Sequence, residues 1–218
     1  MNRIWLLTAH LILTILLVCS ALSSAGELKP IPLLKPQLDG GRPLMQVLKD
    51  RKSSRAFSSE KLPMQVMSNL LWAAFGVNRP ESGKRTAPSA VNWQEIDIYV
   101  ATADGLYLYE AKPHTLKPIL AEDIRALTGT QPYVKEAPVN LIYVADFSRM
   151  DKAADEQKVF YSAAGTGFIS QNVYLYCASE GLATVVRASI DKPALEKTMK
   201  LRPDQKITLA QSVGYPKK

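Results

Sequence analysis

The chain has 218 residues, 47% of them hydrophobic and 22% charged. That composition supplies one substantial core and excludes wholesale disorder. The formal net charge is +7. Apart from Arg51, Lys52 and Arg55 the basic residues are scattered, with no stripe interleaved with aromatics, so a nucleic-acid partner is not expected.

Residues 1–25 read as a secretory signal peptide. Arg3 is the one charged side chain before an apolar run from Ile4 to Val18, and Ser23 and Ala25 place small residues before a cut at Gly26. The run is about 15 residues, short of the roughly 20 that a bilayer span needs, which favours cleavage over an uncleaved anchor helix. The expected location is therefore exported and periplasmic, with no stable membrane span after cleavage. A lipid-anchored form through Cys19 is disfavoured by Val18, where a small residue is wanted. Cleavage removes one base and no acid, so 27 basic residues become 26 against 20 acidic ones. Cys177 is then the one cysteine left, and its apolar surroundings predict a buried structural thiol.

Residues 26–42 carry Pro30, Pro32, Pro36, Gly40 and Gly41 and read as an extended arm ahead of a domain over 43–218. Pro43 suits the first turn of a helix through Leu44, Val47 and Leu48. A second helix is expected from Pro63 through Ala74, ended by Gly76, and a polar loop over 78–89. Glu95 to Ala101 alternates polar and apolar residues, Ala103–Gly105 is a turn, and Leu106–Glu110 returns as a hairpin partner. A short helix over Ala121–Leu127, a buried strand over Val139–Ala145 and a long helix over Asp151–Gly181 follow. Two further strands, Leu182–Val186 and Lys206–Gly214, flank a helix over Asp191–Met199 with Asp191 as N-cap. The sum is an α+β fold with five strands and helices packed on the sheet.

Three constellations could carry chemistry. Arg51, Lys52, Ser53 and Arg55 put three cations and a hydroxyl where a phosphate monoester would find them, although a charged helix end is an equally ordinary origin for such a cluster. Pro88, Ser89, Ala90, Asn92 and Gln94 form a stiffened loop whose donors and acceptors could read the polar edge of a heterocycle, or merely cap the loop. Tyr161, Gly165, Gly167, Gln171 and Asn172 place small and amide side chains on the long helix, where a backbone or a flat ligand could approach. A Ser-His-Asp hydrolase and a His/Cys metal site both lack residues. His10 leaves with the signal, and His114 sits in a Lys-Pro-His-Thr turn expected to be exposed.

These pieces occur in one order: Arg51-Lys52-Ser53 with Arg55 and Phe57, Ala87-Pro88-Ser89-Ala90 with Asn92, Gln171-Asn172, Gly181 to Val186, and Val213-Gly214-Tyr215-Pro216. In that order the chain resembles the nitroreductase family of flavoproteins from Leu44 to Tyr215. Leu71–Val77 and Gly105–Glu110 resemble its smaller azoline-oxidase-like branch. The resemblance implies a central mixed or antiparallel sheet flanked by helices, and a homodimer whose two subunits enclose FMN. It implies that Arg51, Lys52, Ser53 and Arg55 hold the ribityl phosphate, that Pro88, Ser89, Ala90 and Asn92 lie against the ring, and that the backbone of Val186, Arg187 and Ala188 approaches flavin N5. The chain departs from the family in two places: Arg187 or Ala188 stands where members often have glycine, and the phosphate-binding basic pair that many carry well beyond the final strand has as its candidate substitutes only Lys217 and Lys218, just past Tyr215.

The activity implied is FMN-dependent electron transfer with ping-pong kinetics to a small aromatic, quinone or nitro acceptor, with no amino-acid nucleophile and Tyr161 as a candidate proton donor. NAD(P)H is scarce outside the cytoplasm, so a quinone-linked or protein donor stands beside it. A flavin-binding module without turnover, or a secreted interaction domain without cofactor, would give different signs: yellow but inactive protein, or protein that stays colourless with FMN.

Overall fold

The computed structural model describes residues 28–218, so the expected signal peptide, with Cys19 and His10, lies outside the described residues. The arm enters through a two-residue strand β1 (Ile31–Pro32) and runs extended to Pro43, which caps helix α1 (Leu44–Asp50). Helix α2 (Met64–Phe75) follows and ends at Gly76. The stretch expected to be a polar loop is instead a small ribbon of β2 (Val77–Arg79) and β3 (Lys84–Arg85). Its strands are too short to show a period in sequence.

Strands β4 (Ile96–Thr102) and β5 (Gly105–Glu110) form the hairpin that their alternation predicts. Gly105 turns it with φ +145, and a Cβ there would strike the Leu120 carbonyl. An unexpected strand β6 (Thr115–Leu120) pairs with β5 and, through two residues, with β1. Pro118 disguises it in sequence, and the proline is tolerated because little pairs on the outer side of this strand. The short helix expected over Ala121–Leu127 is replaced by a 3-10 turn at Arg125–Thr128. Then come β7 (Val139–Asp146), the long helix α3 (Asp155–Ser179), β8 (Ala183–Arg187), α4 (Lys192–Thr198) and β9 (Gln205–Gly214). Asp191 caps α4 through the Ala194 N–H, as its position predicts.

The sheet among the described residues has seven strands in the order β1-β6-β5-β4-β7-β9-β8 rather than five, and every pairing is antiparallel. Strand β7 is buried along its whole length at the centre. One face packs Ile96, Ile98, Leu141 and Tyr143 against Leu70 and Leu71 of α2 and Ile169 and Val173 of α3. The other packs Ile142, Val144 and Ile207 against Leu195 and Met199. Cys177 is buried in the first of these clusters. Beneath α3 the polar atoms are satisfied in a chain: the Tyr143 hydroxyl donates to Gln211 (2.6 Å), whose amide donates to Thr184 (3.0 Å). No helix of the described residues is long and apolar enough to cross a membrane.

His114 corrects an expectation. It is half-buried rather than exposed, and its ring meets the Ser68 hydroxyl (2.7 Å), the Tyr109 hydroxyl (3.0 Å) and the Leu34 carbonyl (3.1 Å), so it clamps the arm to α2 and the sheet. Gln65 and Asn69 of α2 bind the arm backbone at Lys35 and Gln37.

Gly165 on α3 has a defined purpose. A Cβ there would stand 3.0 Å from Glu95 Oε1, so the missing side chain makes room for a carboxyl that is 1% exposed and has an unpartnered Oε2. Burial pushes the Glu95 carboxyl above the usual carboxylate range, opposed by its own backbone N–H and by the Arg149 charge. The folded chain therefore holds a proton there that the unfolded chain releases, so this residue costs stability as pH rises from the unfolded value through the folded one. Glu95→Gln should remove that loss. In urea unfolding followed across the carboxylate range to neutral pH, the variant's midpoint should gain on the wild type as pH rises. A gap that does not change with pH would refute it.

Candidate functional site

After α1 the backbone becomes extended at Arg51 and runs along the outer edge of β8. The Ser54 N–H donates to the Thr184 carbonyl (2.9 Å), Ser58 N–H to Tyr215 O (2.9 Å) and Lys217 N–H to Ala56 O (3.3 Å). Phe57 fixes this course: it is buried with Ala137, Ala183 and Val185 and bridges to Pro216. With Phe57 as the plug, the side chains of Lys52, Ser53 and Arg55 are left in solvent. The Arg51 guanidinium lies over the Tyr174 ring at 5.3 Å, and Ser53 Oγ is 2.8 Å from the Tyr174 hydroxyl. Among the described residues no carboxylate lies within ion-pair distance of Arg51, Lys52 or Arg55.

The end of β8 lies beside this cluster. The Thr184 carbonyl and the Val186 N–H both face away from β9, to Ser54 and to the Tyr174 hydroxyl (3.0 Å). By the alternation of an antiparallel edge, the Val186 carbonyl and the exposed Ala188 N–H face the same way. The Arg187 side chain points to the other face of the sheet. It is 6% exposed and donates to Ser212 Oγ (3.0 Å), Asn140 Oδ1 (3.0 Å) and both oxygens of Thr128 (2.7 and 3.0 Å). All four acceptors are neutral, and burial holds the guanidinium down to about 10. The Arg187 side chain is thus not offered at the strand edge, which presents the main chain of Val186 and Ala188 on either side of it.

The loop before β4 is rigid and strained. Ser89 Oγ accepts from the Gln94 N–H (3.0 Å), and Asn92 Oδ1 accepts from the Gln94 amide (3.0 Å). Gln94 is held in turn by Arg85 (2.7 Å) and through its carbonyl by Arg149 (2.8 Å). Ala90–Asn92 form a single 3-10 turn in which Val91 and Asn92 have positive φ, at 41 and 59, as does Gln94 just after it, at 49. For β-branched Val91 that conformation costs on the order of 1–3 kcal/mol, yet its side chain is 80% exposed. The hydrogen bonds that Ser89, Asn92 and Gln94 make hold the turn in that conformation. Pro88, Ser89, Val91 and Asn92 line a cleft of about 380 Å³ with Arg79, Lys84 and Arg85. Tyr161 packs edge-on to Trp93 of this loop at 5.7 Å.

Within one subunit the expected residues therefore form two groups. Arg51, Ser53 and Val186 meet through Tyr174, with Ala188 two residues on; Pro88, Ser89, Ala90, Asn92 and Tyr161 gather at the loop. The cleft at the loop is lined by none of the residues of the first group. Lys217 has its backbone against Ala56 but lines a separate cleft of about 980 Å³ with Ser58, Ser59, Arg125 and Lys135. Tyr174 was hidden from sequence reasoning in the apolar run 173–178. Its signal is a phenol hydroxyl on a buried helix face, which needs a partner.

Residues 48–215 match the Nitroreductase family. A protein of Methanocaldococcus jannaschii described as a nitroreductase is 31% identical over 169 residues, 73% of this chain and 85% of its own. A crystal structure of a nitroreductase-type protein from Ralstonia eutropha is 40% identical and superposes with a TM-score of 0.85, covering 90% of this chain and 93% of that one. The NADPH:FMN oxidoreductase of Vibrio harveyi, solved with NAD+, shares the fold at 17% identity and a TM-score of 0.62, covering 80% and 69% of the two chains. This chain belongs to the nitroreductase family of oxidoreductases.

Proposed function

We propose that the protein is an FMN-dependent oxidoreductase of the nitroreductase type, of the azoline-oxidase-like branch, working as a homodimer. One observation carries the reading: the segment Arg51–Arg55 brings three cations, none paired with a carboxylate among the described residues, together with an exposed hydroxyl, beside a strand edge with an outward-facing carbonyl and N–H. That donor set fits FMN. Arg51, Lys52, Arg55 and Ser53 suit the phosphate dianion, and the main chain at Val186 and Ala188 suits the polar edge of the ring. Lys217 can add charge from the tail that runs beside Ala56. The fold shared with the NADPH:FMN oxidoreductase of Vibrio harveyi agrees with this.

FMN, when bound, supplies the redox chemistry. The chain's residues grip, orient and keep water out. Ser89, Ala90 and Asn92, on a loop whose own cleft does not include the phosphate cluster, would close over the ring from the second subunit, with Asn92 donating its amide to developing negative charge. Tyr161, packed on Trp93, can hold a proton near an acceptor. A donor, NAD(P)H or a quinone-linked or protein partner, would leave before a small aromatic, quinone or nitro acceptor takes its place. Export through residues 1–25 to the periplasm belongs to the same proposal, and favours a donor other than free NAD(P)H.

The dimer is supported by helix α3. Its inner stripe seals the sheet, but its outer face leaves Val159, Phe160 and Phe168 in solvent beside Ala163 and Gly167, and α1 adds Leu44 and Met45, 60% and 76% exposed. An uncovered apolar face of this extent calls for a partner, and small residues in its middle let a second helix approach.

The purified protein should be yellow, or turn yellow with FMN, and should bleach anaerobically with a reductant and recover with a quinone or nitroaromatic. Protein that stays colourless with FMN would overturn the reading. Arg51→Ala with Arg55→Ala should weaken FMN binding at least about tenfold, the scale of losing a charge-assisted hydrogen bond. Phe160→Glu with Phe168→Glu should convert a dimer to monomers in sedimentation and lose FMN. A wild type that sediments as a monomer would sink the two-subunit site.

A further inference from the structure

We infer that Tyr174 is a positioning residue that commits the Ser53 hydroxyl hydrogen to an anionic ligand, a role that rests on the phosphate reading above. The argument is one of hydrogen-bond direction. The Val186 N–H donates to the Tyr174 oxygen at 3.0 Å, which uses that oxygen as an acceptor. Tyr174 is buried, so its own hydrogen must be given to something. The acceptor within reach is Ser53 Oγ, at 2.8 Å. With that lone pair occupied, the hydrogen of the exposed Ser53 hydroxyl points away from the protein. The path runs one way, Val186 N–H to Tyr174 O–H to Ser53 O–H, and each donor polarises the next.

Two further contacts hold the path in place. The Arg51 guanidinium lies over the Tyr174 ring, so the cation and the hydroxyl donor share one support. The Ser54 N–H bonds to the Thr184 carbonyl, two residues from Val186, which fixes the spacing between the loop and β8. Tyr174 thereby ties the phosphate cluster to the strand edge proposed to meet the ring. It touches neither ligand nor reacting atoms itself.

The test is a pair of dissociation constants, for FMN and for riboflavin, read from quenching of flavin fluorescence. Riboflavin carries the same ring without the phosphate. Tyr174→Phe keeps the ring under Arg51 and removes the hydroxyl. It should weaken FMN about tenfold, the worth of one hydrogen bond to a charged group, and leave riboflavin unchanged. Ser53→Ala, at an exposed position that the fold does not need, should do the same. The double variant should be no weaker than either single one, since both act on one path. Equal losses for both flavins, multiplying effects, or FMN binding as tight as wild type in Ser53→Ala would overturn the inference while leaving the flavin reading intact. A wild type that binds neither flavin would overturn the flavin reading, and this one with it.

Discussion

Helix α3 has to satisfy two apolar surfaces at once. Its inner stripe, with Gly165, Ile169, Val173 and Cys177, closes one face of the sheet, and the rest of the core forms around that contact. Its outer face carries Phe160 and Phe168 where a surface helix would normally be polar. Tyr161, Gln171 and Tyr174 take their places from the same rod. One helix thus supplies the support for the basic cluster, the neighbour of the Pro88–Asn92 loop and the exposed apolar face. Moving α3 by a fraction of a turn would disturb all three together.

Two arginines show how differently the fold treats a charge. Arg187 is taken out of water and given only neutral acceptors, with its Nε left without a partner. Such burial costs free energy that the surrounding polar groups offset only in part, and it leaves positive potential under the end of β8. Arg51 stays half-exposed over an aromatic face with no counter-ion. The two therefore favour an anion at the same strand edge, one from beneath the sheet and one from beside it. Glu95 is the reverse case: burial pushes its carboxyl above the usual carboxylate range, and it lies against a glycine.

Regular periodicity is what the sequence makes legible. The β4–β5 hairpin alternates over many residues, β7 is a continuous apolar run, and α4 announces itself by Asp191 and Pro193. Strand β6 does not, because Pro118 interrupts it and its partners in β5 decide its conformation. The β2–β3 ribbon is shorter than any period. His114 looks like a turn residue until the arm returns to cover it, a contact made across 80 positions. Among the candidate site residues, the segment Arg51–Phe57 is a compact run and is visible as such. The direction of the Arg187 side chain is not, since Thr128, Asn140 and Ser212 decide it from 25 to 59 positions away. Tyr174 was invisible for the same reason: its partners, Ser53 and Val186, are far apart in sequence.

The strand order has a geometric corollary. Strand β1, where the arm joins the sheet, occupies one margin, and β8 with the basic cluster occupies the other. At the usual spacing between strands these margins are roughly 30 Å apart. A bulky group attached ahead of Ile31, whether a tether or a fusion partner, is held on the far flank by the His114 clamp. The basic cluster at the β8 margin is therefore kept a full sheet's width from whatever the amino end carries.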